Sequence, residues 1–167
     1  AVAETRARPS VVGNVQRSRV DGRIDHAGKF FDSEGVPRHF GQFYHDLFPW
    51  DPPVDYHEFP SVTAACWMLR REDFLSLGGF DEGYLNGFED DDFCMRAREA
   101  GWEIGVAFRS WVFHYVSISE GRKTHEDRNL ERFLNDWGAS ALEWNKQHME
   151  RTLRLIRSWS VRRYASA

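Results

Sequence analysis

The chain has 167 residues, 41% hydrophobic and 15% aromatic, enough for one domain with its own core and too aromatic for a disordered chain. Its 22 basic and 26 acidic residues leave a formal charge of −4, which argues against nucleic acid as a main partner, since phosphate binding asks for a basic surface. No apolar run is long enough to span a bilayer, no signal-peptide pattern opens the chain, and the two cysteines, Cys66 and Cys94, make no disulfide framework, so a reducing, cytoplasmic compartment is expected.

Val11 to Val15 is β-branched and reads as a short strand. Asp21-Gly22 is a turn signal that sends the chain back as a hairpin towards Phe30-Phe31. From Gly35 to Pro60 proline, aromatic and histidine residues dominate without a clean period, which predicts a long structured loop. Val62 to Leu69 is again strand-like. Arg71 to Leu77 fits a short helix stopped by Gly78-Gly79. A second helix is predicted from about Glu89 to Ala100, with acids in its first turn, Arg96 and Arg98 near its end, and Gly101 as its stop. Glu103–Phe108 and Trp111–Val116 read as two short strands. Beyond them Leu130, Phe133, Leu134, Trp137, Ala141 and Trp144 fall at helical spacing, followed by a basic tail containing Arg151, Arg154, Arg157, Arg162 and Arg163. There is no internal repeat.

This order predicts an α/β fold: a short mixed β-sheet with flanking helices and a helical C-terminus. The division expected is a sheet-bearing portion over 1–125 and C-terminal helices packed on it over 126–167.

The segment from Thr63 to Arg98 carries the chemistry. It runs Thr63-Ala64-Ala65-Cys66, Arg70 to Phe74, Gly78-Gly79-Phe80-Asp81-Glu82, and then Gly87-Phe88-Glu89-Asp90-Asp91-Asp92-Phe93-Cys94-Met95-Arg96. In letters and spacing this resembles the C-terminal half of family-2 glycosyltransferases of the GT-A fold, with their "tGac" strand, "GGFDE" turn and "ED-x-D" helix start. Asp21 to Gly28 is similar to the family's "dG-x-idhaG" hairpin, and Trp111 to His114 with Ser117, Ser119 and Gly121 to its "v-x-H-x-x-s-x-s-x-G" segment. The resemblance covers roughly residues 11–140 and implies a partial GT-A-type domain.

It also implies roles. Asp90 matches the general base that takes the proton from an acceptor hydroxyl, with Glu89 and Asp92 positioning it and Arg96 holding Asp92 as an i,i+4 pair. His114 matches a residue that helps ligate the divalent ion, Mn²⁺ or Mg²⁺, on the nucleotide-sugar diphosphate. Arg122 and Lys123 match contacts to the leaving diphosphate. In the aromatic loop, Trp50, Tyr56 and His57 are the candidate acceptor contacts. Each feature also has a plainer reading: the acids as helix N-terminal charge, His114 as a structural histidine, the loop aromatics and Trp137 and Trp144 as packing.

The resemblance further implies a nucleotide-binding half before Val11, ending in a metal-binding D-x-D. The only literal D-x-D here, Asp90-Asp91-Asp92, stands in the general-base context. The expectation is therefore a glycosyltransferase fragment, inactive alone, whose parent inverts a sugar from a nucleotide donor onto a hydroxyl acceptor. Its exposed sheet edge predicts self-association, element swapping or a partner. The alternative is a non-catalytic glycan- or protein-binding module. The basic tail adds possible contact with the inner face of a membrane.

Overall fold

The computed structural model describes residues 8–42, 54–115 and 124–165, so Trp50, Arg122 and Lys123 lie outside the described residues. The elements in chain order are β1 (Ser10–Ser18), β2 (Ile24–His26), β3 (Lys29–Phe31), β4 (Pro37–His39), β5 (Tyr56–Glu58), β6 (Trp67–Met68), α1 (Arg71–Ser76), α2 (Glu89–Glu99), β7 (Glu103–His114) and α3 (Glu126–Ala165). The expected mixed sheet with flanking helices and helical C-terminus is present. Its order is β2-β1-β7-β5, with β6 also paired to β1, and β3-β4 forms a separate ribbon. Central β1 runs parallel to β7 and antiparallel to β2 and β6. Among the described residues no helix is long and apolar enough to cross a membrane.

The turn after β1 forms as its Asp-Gly pair predicts. Gly22 takes φ +73°, and its N–H donates to the Ser18 carbonyl at 2.9 Å. The hairpin ends sooner than expected, at His26. Gly28, at φ +115°, turns the chain out of the main sheet, so Phe30 and Phe31 sit in the β3-β4 ribbon.

Three local expectations change. The predicted loop over 35–60 contains two short strands: β4, and β5 antiparallel to β7 with His57 opposite Val106. Three-residue strands are too short for a period to declare itself. Conversely, the predicted strand over 62–69 pairs only at Trp67–Met68, and the Ala64 N–H is bonded to a carboxylate instead of a neighbouring strand. The two strands expected over 103–116 are one, interrupted by a bulge. Ala107 lies opposite Asn14 but Trp111 opposite Val15, so Phe108, Arg109 and Ser110 are looped out against β1. The bulge is held from the other side, where the Phe108 N–H donates to the Asp55 carbonyl at 2.9 Å.

Two apolar clusters hold the layers. Val11, Val15, Phe59, Ile104 and Val106 of the sheet side meet Phe93, Cys94 and Ala97 of α2, and Leu155 of α3 joins them. Phe31, Tyr84, Met95, Phe133 and Ala141 make the second, clamping the ribbon between α2 and α3. Residues 126–165 thus form one continuous helix that shares both cores with the sheet-bearing part. Both cysteines are free.

Candidate active site

A cavity of about 550 Å³ opens where α2 begins. Its walls are the ribbon (Lys29, Pro37, His39), the irregular stretch Thr63-Ala64-Ala65, the loop Asn86 to Phe88, and the acids Glu89, Asp90 and Asp91. Three successive residues before the helix have positive φ: Asn86 at 59°, Gly87 at 149° and Phe88 at 69°. For a residue as bulky as phenylalanine this is a strained backbone, of the kind that persists only where surrounding contacts enforce it. The enforcing contacts come from α3. Asn129, 1% exposed, donates from Nδ2 to the carbonyls of Leu85 (3.0 Å) and Gly87 (2.9 Å), and the Phe88 ring packs on Phe133 at 5.7 Å. Glu89 turns back to accept from the Gly87 N–H at 2.6 Å. Replacing Asn129 by alanine strands two carbonyls, and should cost about 1–3 kcal/mol in urea denaturation, with faster amide exchange at residues 86–90.

Helical rotation of about 100° per residue points three adjacent acids in three directions. Asp90 faces the cavity: Oδ1 accepts from Lys29 Nζ at 3.2 Å and from the Asp91 N–H at 2.9 Å, and Oδ2 accepts from the Ala64 N–H at 3.1 Å. Asp91 points at the floor, where Oδ2 accepts from Lys29 Nζ at 2.8 Å and Oδ1 lies 2.5 Å from the Ser61 hydroxyl. Asp92 points to the other helices, accepting from Arg96 Nε and Trp137 Nε1, both at 2.9 Å.

Burial acts on all three buried charges, and partners decide the outcome. Burial would raise the Asp90 carboxyl, but Lys29 and the Ala64 N–H hold it below the usual 3.8. Asp91 is pushed up to about 7, first by burial and then by the Asp90 charge, against the pull of Lys29. Burial would lower the Lys29 ammonium, yet the two carboxylates keep it charged and raise it.

The comparisons with known proteins bear on this same stretch. Residues 41–118 match the family described as N-terminal domain of galactosyltransferase. An uncharacterized protein, y4gI, of Sinorhizobium fredii is 34% identical over 67% of this chain and 12% of its own length. The O-antigen biosynthesis protein RfbC of Myxococcus xanthus is 32% identical over 59% of this chain and 8% of its own length. The N-acetylglucosaminyl-diphospho-decaprenol L-rhamnosyltransferase of Mycobacterium tuberculosis is 31% identical over 59% of this chain and 33% of its own length. The chain carries a glycosyltransferase-like domain. The matches support the family-2 type that its motifs resemble, and the domain spans a third or less of the length of these relatives.

The glycosyltransferase-like domain brings together some of the expected site residues and separates others. Glu89 and Asp90 both line the cavity; Asp92 does not. Its i,i+4 pair with Arg96 is present at 2.8 Å, but Arg96 also donates to the carbonyls of Leu77 (2.6 Å) and Gly79 (2.8 Å), so the pair ties α1 to α2 and α3. His57 does not line the cavity. It is buried in β5 between Phe59 (5.0 Å) and Phe108 (6.5 Å), and burial lowers its imidazole to about 4. Tyr56 lies in the same strand, opposite Ala107, with its ring over Gly105 and away from the cavity lining. Trp137 and Trp144 serve packing: Trp137 holds Asp92, and the Arg98 guanidinium lies 5.0 Å above the Trp144 ring.

His114 ends β7, with Nδ1 3.6 Å from Asp25 Oδ2. Two donors are not a metal site, and among the described residues no group of three His, Cys, Asp or Glu side chains is placed to hold an ion. The described residues therefore do not by themselves make a divalent-ion site.

Lys29 and Ser61 lie outside every motif read from the sequence, and Asp91, His26 and His39 carry no expected role in the site. The Gly28 N–H donates to His26 Nε2 at 3.2 Å, so His26 carries its proton on Nδ1, 3.2 Å from His39 Nδ1. His26 is fully buried, and burial pushes it well below 6.5, so it stays neutral. His39, opposite Lys29 in the ribbon, then accepts at Nδ1 and stands at the cavity wall.

Proposed function

We propose that this domain supplies the acceptor side of sugar transfer from a nucleotide-diphosphate donor to a hydroxyl, with inversion and with Asp90 as general base. The observation that carries the reading is Asp90 itself: an ionised carboxylate at a cavity wall, aimed by Lys29 and the Ala64 N–H. An alcohol is a poor nucleophile, and a carboxylate that takes its proton as the bond to the anomeric carbon forms speeds transfer by about 10²–10⁴-fold. The cavity has room for the acceptor end of a glycan, and Glu89, fixed by Gly87, adds a second acceptor oxygen beside Asp90.

The donor nucleotide falls to residues outside the described cavity. The relatives are several times longer than the stretch they share with this chain, which favours a nucleotide site elsewhere in a longer protein. Two of them carry names from O-antigen biosynthesis and from transfer to N-acetylglucosaminyl-diphospho-decaprenol. Surface glycans and their lipid-linked precursors are accordingly the acceptor class to screen.

The decisive experiment compares Asp90→Asn with the parent enzyme in a sugar-transfer assay on the full-length protein. The expected result is a loss of about 10²–10⁴-fold in kcat with donor binding unchanged. Undiminished transfer would remove Asp90 from the chemistry. Calorimetric titration of residues 1–167 with uridine, guanosine and thymidine diphosphates, with and without Mn²⁺, locates the donor site. No binding is expected; metal-dependent binding would place that site within this chain.

A further inference from the structure

We infer that Asp91 is a positioning residue: together with Lys29 it holds one exchangeable proton behind Asp90 and so keeps Asp90 ionised and aimed. The inference rests on Asp90 being the base, and its observations lie one layer beneath the cavity wall.

The charge count is uneven. Lys29 Nζ, itself buried, is the cation between two buried carboxylates, at 2.8 Å from Asp91 and 3.2 Å from Asp90. With both acids ionised a net negative charge is left in a place with little water, which is costly. Taking up one proton neutralises the group.

Geometry decides which acid takes it. Around Asp90, Lys29 Nζ, the Asp91 N–H and the Ala64 N–H can only donate, and the Thr63 hydroxyl, which already accepts from the Ala65 N–H at 3.4 Å, is left to donate to it as well. At rest these fixed donors favour the anion on Asp90, so a proton reaches it only when an acceptor hydroxyl gives one up. Asp91 differs, because its Oδ1 meets the Ser61 hydroxyl at 2.5 Å, and a hydroxyl can accept as readily as donate. Asp91 can therefore become a neutral acid by turning one O–H, without losing a hydrogen bond. The proton balance is simple: below the transition Asp91 is the neutral acid, and above it that proton goes to solvent, leaving Lys29 shared between two anions.

The other titratable groups around the pair leave this assignment in place. From β2, His26 is neutral. From α2, the Cys94 thiol is pushed up to about 12 by burial and stays protonated, while Glu89 is bonded to Gly87. His39 and Glu126 reach the same cavity from β4 and α3.

The test is a carbon-13 titration of aspartate carboxyls in residues 1–167, which reads protons and needs neither nucleotide nor sugar. In the wild type one buried carboxyl should titrate near 7 and another stay ionised below 3.8. Asp91→Asn, nearly isosteric, should abolish the upper transition and leave the lower one. An upper transition that survives in Asp91→Asn, or a wild type with no aspartate titrating above about 5, overturns the inference.

Stability supplies a second readout with a definite sign. The folded Asp91 carboxyl lies above its unfolded 3.8, so its contribution is intact at low pH and is lost as pH rises through about 7. His26 and His57, lowered by burial, act oppositely: their contribution is present above 6.5 and is lost as pH falls. The difference between variant and wild type isolates Asp91. Asp91→Asn should gain in denaturation midpoint relative to wild type between pH 5 and pH 8, whereas a merely structural Asp91 would give a difference that does not change with pH. Loss of sugar transfer in Asp90→Asn is read in a separate assay, so failure here and failure of the proposed function are told apart.

Discussion

Replacing Lys29 by methionine is expected to destabilise the fold by about 3–5 kcal/mol, the usual cost of removing one partner from a buried ion pair. Methionine approximates the length of the lysine stem, so little packing is lost and the effect is electrostatic. What remains is two carboxylates against each other, both in buried residues. Their only way out is to take up protons, so the deficit should shrink as pH is lowered towards 5 and widen towards 8. Adding Asp91→Asn should restore part of the loss at pH 8, because one of the two stranded charges is then gone. Urea denaturation of the two single variants and the double at both pH values checks this. A loss that is the same at pH 5 and pH 8, and additive with Asp91→Asn, would mean that Lys29 matters for its stem and not for its charge.

Gly28→Ala is expected to cost about 2–6 kcal/mol, from backbone strain of about 1–3 and overpacking of about 1–3. Gly28 has φ +115°, which L side chains rarely adopt, and an added Cβ would lie 2.5 Å from Cγ and Cδ2 of Phe59. That ring has no room to yield. It is fully buried, with Phe40 at 5.2 Å, His57 at 5.0 Å and Phe108 at 6.2 Å. Gly22→Ala is the control, since its φ is +73° but no atom lies within 4 Å of the new Cβ, so it should show the strain alone. Gly28→Ala combined with Phe59→Leu should recover some of the overpacking and none of the strain. Equal thermal shifts for Gly22→Ala and Gly28→Ala would show that the Phe59 contact carries no weight.

Parts of this arrangement can be read from letters alone. Helix α2 announces itself, because acids crowd its first turn, arginines its end, and Gly101 closes it at φ +80°. The motif at its start lies along one wall of the cavity. Lys29 could not be found the same way. A single lysine beside Phe30 and Phe31 reads as the solvent side of a hairpin, and its partners lie 61 and 62 positions away. The ED-x-D resemblance groups Asp92 with Asp90, yet two steps of a helix turn a side chain by about 200°. Tyr56 and His57 were expected on a loop because proline and aromatic residues precede them, and the pairing that makes them a strand is supplied by β7. In each case local pattern gave the element, while the burial of a specific polar or aromatic group was fixed by contacts distant in sequence.

The bulge in β7 also governs which way the end of that strand looks. Partners in register share a face of the sheet, and each step along a strand changes face. From Ala107 to Trp111 the strand advances four residues while β1 advances one, from Asn14 to Val15. The three surplus residues thus invert the alternation: Ile104 and Val106 face one way with Val11 and Gly13, and beyond the bulge that face passes to Trp111 and Phe113. His114 lands on the opposite face, with Val112, Gln16 and His26. Parity, more than length, is what this segment encodes. Shortening residues 108–110 by one would leave three steps from Ala107 to Trp111, which regular alternation carries to the Val15 face without a break, so Trp111, Phe113 and His114 would keep their sides. Shortening it by two would leave two steps, which return Trp111 to the Ala107 face and turn His114 away from Asp25, so tolerance to deletion here should alternate between odd and even.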